Sequence, residues 1–127
     1  MQIRIIKYLS ACVMIMGLVH EVATFSPVIS DKLALLPISA HRAFLYFSLM
    51  CGALLILSGG VIFILSAKVN EYPFVKKAYL LALVLLVADG LLSISCMSRN
   101  PFAWVIFALA VVLLFLSINL LRVSHSK

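Results

Sequence analysis

The sequence predicts an all-α integral membrane protein that folds as a compact antiparallel bundle of four transmembrane helices. Its 127 residues are 65% apolar and only 11% charged, whereas soluble domains are nearer half apolar and a quarter charged. A water-soluble domain of this size buries too little of its chain to hide so much apolar surface. Four apolar runs, each of about 20 residues, are long enough to cross a bilayer. The whole chain, residues 1–127, is predicted to form one domain.

The first run predicts a helix over residues 5–25, preceded by Arg4 and Lys7. A removable signal peptide has a similar basic start and apolar stretch, but no small-x-small cleavage site follows Val19. Residues 9–12 resemble a lipoprotein cleavage box, but Lys7 leaves almost no apolar run before them. We therefore expect the first run to stay in the membrane as a helix.

Breaks in the hydrophobic pattern separate three further predicted helices. Ser39 is the predicted N-cap of the second helix, and the apolar residues 33–36 of the loop before it are expected at the membrane interface. Asn100 followed by Pro101 predicts a cap and a first helical turn, so the last two helices would form a tight hairpin. The three predicted spans are residues 43–67, 78–97 and 101–121.

Lysine and arginine residues lie in ones and twos between the apolar runs, which is typical of topology signals. Seven of the ten lie in the N-terminal segment, the second loop and the C-terminal segment, namely Arg4, Lys7, Lys68, Lys76, Lys77, Arg122 and Lys127. Because positive residues stay in the cytoplasm, both termini are predicted to be cytoplasmic, in a bacterial cytoplasmic membrane. This scattered distribution excludes a nucleic-acid-binding face, so the lipid bilayer is the expected partner.

Small residues recur at helical spacing and predict close helix packing in lipid. On the second predicted helix these residues are Ser48, Gly52, Gly59 and Ser66, and Gly17 leaves similar room on the first. Aromatic residues near the helix ends are predicted to anchor them at the membrane interface. They are Tyr8, Tyr46, Tyr72, Tyr79 and Trp104.

Two acidic residues inside the predicted spans are the main functional lead, because ionisable groups in a membrane are costly. Glu21 lies in the outer third of the first helix, and Asp89 lies roughly 16 Å into the third, near mid-membrane. With the N-terminus inside, the polar residues near these acids also fall in the outer half of the bundle. The predicted polar pocket, which would bind a ligand or transfer protons, contains His20, Glu21, His41, Arg42 and Asp89, with Ser93, Cys96 and Arg99 as secondary candidates.

A purely structural role for these residues is the alternative. Glu21 could pair with Arg42 to set helix register. Asp89 could pair in the same way with His20 or with Arg99. Polar contacts between membrane helices are commonly structural, so the sequence leaves both interpretations open.

The sequence contains no catalytic signature. It lacks a serine nucleophile motif, a phosphate-binding loop and an HExxH zinc motif. The three cysteines are widely spaced, and Cys96, near the water boundary, is the only one expected to be reactive. No cofactor and no metal are expected, although the depths of His20 and His41 would allow a haem or a metal between them.

The segment Val19-His20-Glu21-Val22 resembles the small multidrug resistance transporters, short four-helix proteins with one membrane acid in the first helix. The resemblance covers one helix, in which Glu21 lies further along than the acid of that family. Asp89-Gly90 stands where that family has a Trp- and Gly-rich motif. Chain length and helix number are also similar to those of the DoxX-like group of small bacterial membrane proteins, without a diagnostic motif. No residue role is transferred from either group.

These features together predict a non-enzymatic membrane protein. It would be an accessory or assembly subunit of a larger membrane complex, or a binder of a small lipophilic ligand. The first alternative is a small proton-coupled transporter that exchanges protons at Glu21 and Asp89 and acts as a homo-oligomer. The second is a membrane redox or lipid-modifying enzyme that uses histidine and acidic residues.

Overall fold

A computed structural model describes residues 1–123, which form five helices and no strand. The four long helices are α1 (Gln2–Thr24), α3 (Ile38–Leu65), α4 (Pro73–Cys96) and α5 (Pro101–Val123). A short helix, α2 (Pro27–Leu33), occupies the first connection, where a loop was expected. All four long helices are long and apolar enough to cross a membrane, which agrees with the predicted class of helical membrane protein. The predicted domain extends to residue 127, and residues 124–127 lie outside the described part of the chain.

Three of the long helices begin earlier than predicted, and the first of them, α1, begins at Gln2 instead of residue 5. α3 begins at Ile38 instead of residue 43, and α4 begins at Pro73 instead of residue 78. Hydropathy marks only the apolar part of a helix, whereas these helices also include polar turns that contain Arg42 and Lys77. Pro73 fits the first turn of α4, because the N–H that proline lacks would have no helical partner there.

One of the two predicted helix starts is confirmed. Pro101 begins α5, and the Phe102 amide donates to Asn100 Oδ1 at 3.0 Å. The prediction of Ser39 as a cap was wrong, because α3 begins one residue before it. The residue that precedes α3 is Pro37, whose backbone is extended at φ −54° and ψ 146°.

The four long helices surround a common core. α1 packs on α3, α3 on α4, α4 on α5, and α5 on α1. Buried residues recur every three or four positions, as in Ile6, Ser10, Val13 and Gly17 of α1, and this spacing keeps one face of a helix against its neighbours. The fully buried aliphatic side chains include Ile6, Val13, Leu55, Ile62, Leu83, Leu86 and Leu113.

Glycines allow α1 and α3 to approach closely, as the stripe of small residues predicts. A Cβ atom on Gly17 would lie 2.8 Å from the backbone oxygen of Gly52 and 3.0 Å from the backbone nitrogen of Ile56. A Cβ atom on Gly59 would lie 2.9 Å from the backbone oxygen of Ser10. These atoms belong to helix backbones and cannot move aside individually, so a larger residue at either glycine would push the helices apart.

Tyr79 lies in the core and not at the membrane interface, so that part of the aromatic prediction was wrong. Its side chain is 0% exposed, and its hydroxyl oxygen lies 2.6 Å from Ser117 Oγ of α5. A buried phenol requires a hydrogen-bond partner, and Ser117 supplies one. The other aromatic residues of that group are exposed: Tyr8, Tyr46, Tyr72 and Trp104.

We expect Gly17→Ala to lower the melting temperature of the protein in detergent, because the new methyl group would collide with the α3 backbone. Overpacking of this kind costs about 1–3 kcal/mol. Gly60→Ala is the matched control, since nothing lies within 4 Å of a Cβ atom at that position. Alanine in a helix is favoured over glycine by roughly 0.5–1 kcal/mol, so the control should melt at the same or a higher temperature. Circular dichroism during heating measures both, and equal melting of the two variants would contradict the close contact at Gly17.

Candidate functional site

Side chains of α1 and α3 form a chain of hydrogen bonds where α1 ends. Thr24, the last residue of α1, donates its hydroxyl proton to the backbone oxygen of His20 at 2.9 Å. The hydroxyl oxygens of Thr24 and Ser48 lie 2.6 Å apart, and Ser48 Oγ lies 3.2 Å from His20 Nε2. Thr24 and His20 are about one helical turn apart, so both reach the same serine of α3.

Asp89 of α4 adds a carboxyl group to these residues. Its side chain is only 5% exposed. The Cys51 thiol of α3 and the His20 imidazole of α1 both lie near enough to this carboxyl group for an electrostatic interaction. Asp89 Oδ2 is buried and has no hydrogen-bond partner among residues 1–123. Buried polar atoms are rarely left unpaired in native proteins, so this oxygen distinguishes Asp89 from the other buried polar groups.

The second carboxyl group, that of Glu21, lies against Gly52 of α3. A Cβ atom on Gly52 would collide with this carboxyl group and would lie 2.8 Å from its Cδ atom. Glycine at this position therefore leaves the room that the half-buried Glu21 side chain occupies. Because Gly52 follows Cys51, Glu21 and Asp89 approach α3 at adjoining positions, one from α1 and the other from α4.

We refer to these residues as the polar cluster: His20, Glu21, Thr24, Ser48, Cys51 and Asp89. α5 encloses the cluster, with the ring centroid of Phe102 5.9 Å from that of His20. Gly90 brings α5 close to Asp89, since a Cβ atom on Gly90 would lie 3.3 Å from Phe107 Cα. Ser93, one turn after Asp89, is also buried. All four long helices therefore form or enclose the cluster.

Asp89 lies nearer the end of its helix than predicted. At 1.5 Å per residue it is about 24 Å from Pro73 and about 10 Å from Cys96, because α4 has an additional turn at its start. The predicted position of Asp89 near mid-membrane stays a prediction. His20 lies at a similar distance from the end of α1, about 6 Å from Thr24.

The structure brings together His20, Glu21 and Asp89, with Ser93 beside them, and Cys96 lies near enough to Cys51 for an electrostatic interaction. The remaining candidates, His41, Arg42 and Arg99, lie apart from them. Arg42, Cys96 and Arg99 are exposed, and His41 is half-buried near the start of α3. In the described part of the chain, no hydrogen bond or ion pair joins any of these four to the polar cluster. His41 and Arg42 lie near the start of α3, Cys96 is the last residue of α4, and Arg99 lies in the connection between α4 and α5.

The predicted ion pairs Glu21–Arg42 and Asp89–Arg99 are not formed within residues 1–123. The ion pair that is formed there joins Lys68 to Glu71 at 2.9 Å, in the exposed connection between α3 and α4. The carboxyl groups of the polar cluster are therefore not neutralised by an arginine or lysine from the described residues.

Three members of the polar cluster were not among the sequence candidates: Thr24, Ser48 and Cys51. Ser48 was identified as a small residue of the packing stripe, and Cys51 as a cysteine of an apolar run. A sequence signal does exist, because Thr24 follows His20 by one turn and Cys51 follows Ser48 by nearly one. That signal could not show which helices would face each other.

No group of three or more His, Cys, Asp or Glu side chains in residues 1–123 is arranged to hold a metal ion. His20 directs Nε2 to Ser48, and His41 lies outside the polar cluster. A haem or metal between these two histidines therefore stays a prediction from their depth in the sequence.

Two open grooves on the bundle surface are lined by apolar residues alone. One, of about 330 Å³, is formed by Leu18, Val19, Val22 and Ala23 of α1. The other, of about 310 Å³, is formed by Val84, Val87, Ala88, Leu91 and Leu114. Neither groove is lined by a member of the polar cluster, whose residues pack between the helices.

Comparison of the chain with protein-family models, with curated proteins and with solved structures gave no match. The site therefore has to be interpreted from its own chemistry.

Proposed function

We propose that the protein is an integral membrane protein in which four antiparallel transmembrane helices enclose a site for a small ligand. The contacts between α1 and α3 support the antiparallel arrangement. Thr24 meets Ser48, whereas the earlier residue Ser10 meets the later residue Gly59. The partners on α3 thus rise in number as those on α1 fall, so the two helices run in opposite directions.

The proposed orientation has both termini in the cytoplasm. Among residues 1–123, six lysines and arginines lie at the end of the bundle where α1 begins, and three lie at the opposite end. The six are Arg4, Lys7, Lys68, Lys76, Lys77 and Arg122, and the three are Lys32, Arg42 and Arg99. This bias is the pattern of proteins that retain their positive loops inside. The polar cluster then lies in the outer half of the membrane.

Cysteine labelling tests this orientation. In a background with Cys12, Cys51 and Cys96 replaced by alanine, we expect Lys32→Cys to react with a membrane-impermeable maleimide on intact cells. Glu71→Cys, in the connection after α3, should react only after permeabilisation. The opposite labelling pattern would overturn the proposed orientation.

The proposed activity is binding of a small lipophilic ligand, without catalysis, at the polar cluster. The observation that supports it is the buried Asp89 Oδ2, which has no partner among the described residues. Leaving a buried acceptor unpaired costs about 1–3 kcal/mol, and more when the group is charged. A ligand that supplies the missing hydrogen bond would recover this energy on binding. In a cluster that served only to hold the helices together, each buried polar atom would have a hydrogen-bond partner within the cluster.

Native mass spectrometry of the protein released gently from its own membrane tests this proposal. We expect the wild type to retain a small molecule as an additional mass, and Asp89→Asn to lose it because the amide cannot provide the same charge. Glu71→Gln is the control, since Glu71 is an exposed acid that pairs with Lys68. A bare wild-type protein, or an adduct equally retained by folded Asp89→Asn, would contradict the proposal. Circular dichroism confirms that each variant is folded.

A proton-coupled transporter is the second candidate, and the placement of Glu21 and Asp89 favours it. The two acids approach adjoining residues of α3, so protons and a cation could exchange between them. In proteoliposomes with an imposed proton gradient, we expect gradient-dependent efflux of ethidium that Glu21→Gln abolishes and Glu71→Gln leaves unchanged. Absence of such efflux from the wild type would exclude transport of this cation and leave simple binding.

A further inference from the structure

The order of donors and acceptors in the polar cluster can be deduced from three hydrogen bonds. Thr24 uses its single hydroxyl proton to donate to the His20 backbone oxygen, because a hydroxyl group has one proton to give. Its bond with Ser48 must therefore be donated by Ser48. Ser48 then has no proton left for His20, so His20 Nε2 donates to Ser48 Oγ. His20 thus carries a proton on Nε2.

The protonated Nε2 leaves the other ring nitrogen of neutral His20, Nδ1, as an acceptor. Nδ1 has no hydrogen-bond partner among residues 1–123, and neither has Asp89 Oδ2. The side chains of Asp89 and His20 are close enough for an electrostatic interaction. The unpaired atoms of Asp89 and His20 are therefore acceptors, and the Nε2 proton of His20 is already donated to Ser48.

The formal charge of the polar cluster points to the same kind of ligand. It contains two carboxyl groups, Glu21 and Asp89, and no lysine or arginine. The lysine and arginine residues at this end of the bundle are exposed and form no ion pair with it within residues 1–123, namely Lys32, Arg42 and Arg99. A site with unpaired acceptors and acidic side chains disfavours an anion or a carbonyl compound and favours a cation that has several N–H donors.

We propose that the polar cluster binds a primary ammonium group, which donates one hydrogen bond to Asp89 Oδ2 and another to His20 Nδ1. This inference rests on the proposed function, since it names the chemical class of the ligand. A trimethylated ammonium has the same charge but no N–H, so it cannot make these bonds.

Calorimetric titration with two matched amines tests the requirement for N–H donors. The protein is placed in phosphatidylcholine nanodiscs and titrated with octylammonium or with octyltrimethylammonium. Asp89→Asn gives the background of amine that partitions into lipid, and Glu71→Gln is the control variant. Hydrogen bonds to charged groups are the stronger ones, so we expect octylammonium to bind about tenfold more tightly or better. Equal binding of the two amines would overturn the inference.

The ammonium group could come from a free amine or from the headgroup of phosphatidylethanolamine. Native mass spectrometry from nanodiscs that contain equal amounts of phosphatidylethanolamine and phosphatidylcholine separates the two sources. Retention of phosphatidylethanolamine by the wild type, but not by Asp89→Asn, identifies the lipid headgroup. Equal retention of both lipids, together with selective binding of octylammonium, identifies a free amine.

The protonation of His20 gives a test that does not depend on any ligand. In ¹⁵N-histidine NMR spectra, assigned by comparison with His20→Gln, we expect the proton on Nε2 and an unprotonated Nδ1. Ser48→Ala should weaken this preference because it removes the acceptor for Nε2. The opposite tautomer in the wild type would overturn the inference even if the protein retained a native ligand. The proposed function would still hold in that case. Absence of a retained small molecule together with equal binding of the two amines would contradict both the proposed function and this inference.

Discussion

The contact between the backbones of α1 and α3 determines most of what the polar cluster can do. Gly17 and Gly59 let the two helices lie so close that a single Cβ atom at either position would meet main-chain atoms. At this distance Ser48 reaches α1, and the space over Gly52 admits the Glu21 carboxyl group. Lipid offers no alternative hydrogen-bond partners, so polar side chains in a membrane depend on such distances more than they would in water.

The buried polar groups of the bundle fall into two kinds. Tyr79 and Ser117 are fully buried and paired with each other at 2.6 Å, which is how a contact that only joins two helices is expected to be built. Asp89 is nearly as well buried, but its Oδ2 atom has no partner in the described chain. Between α4 and α5, each of the two buried hydroxyl groups therefore has a hydrogen-bond partner. The unpaired oxygen of Asp89 is for this reason more informative than its burial alone.

Hydropathy and local motifs predicted the helical class, four spans and the start of α5 at Asn100-Pro101, because these features depend on neighbouring residues. The same reasoning was wrong about Ser39 as a helix cap and about Tyr79 at the membrane interface. The prediction for Ser39 was wrong because α3 begins before its apolar segment, in a polar turn that hydropathy does not detect. The prediction for Tyr79 was wrong because its position near a helix end does not reveal its hydrogen-bond partner Ser117, which lies 38 residues away in the sequence. His20, Glu21 and Asp89 could be selected by their cost in lipid, whereas Ser48 and Cys51 acquire their role only through the packing of other helices on α3.

The arrangement of the polar cluster separates its structural part from its functional part. Thr24, Ser48 and the Nε2 atom of His20 satisfy one another in a fixed order, so this part positions the imidazole and joins α1 to α3. Asp89 and Glu21 contribute charge without a partner arginine or lysine in the described chain. The hydroxyl groups therefore orient His20, because a hydrogen bond at one ring nitrogen determines which nitrogen carries the proton and leaves the other as an acceptor. The groups left for the proposed ligand are an imidazole nitrogen and carboxylate oxygens, a combination that suits a cation with N–H donors.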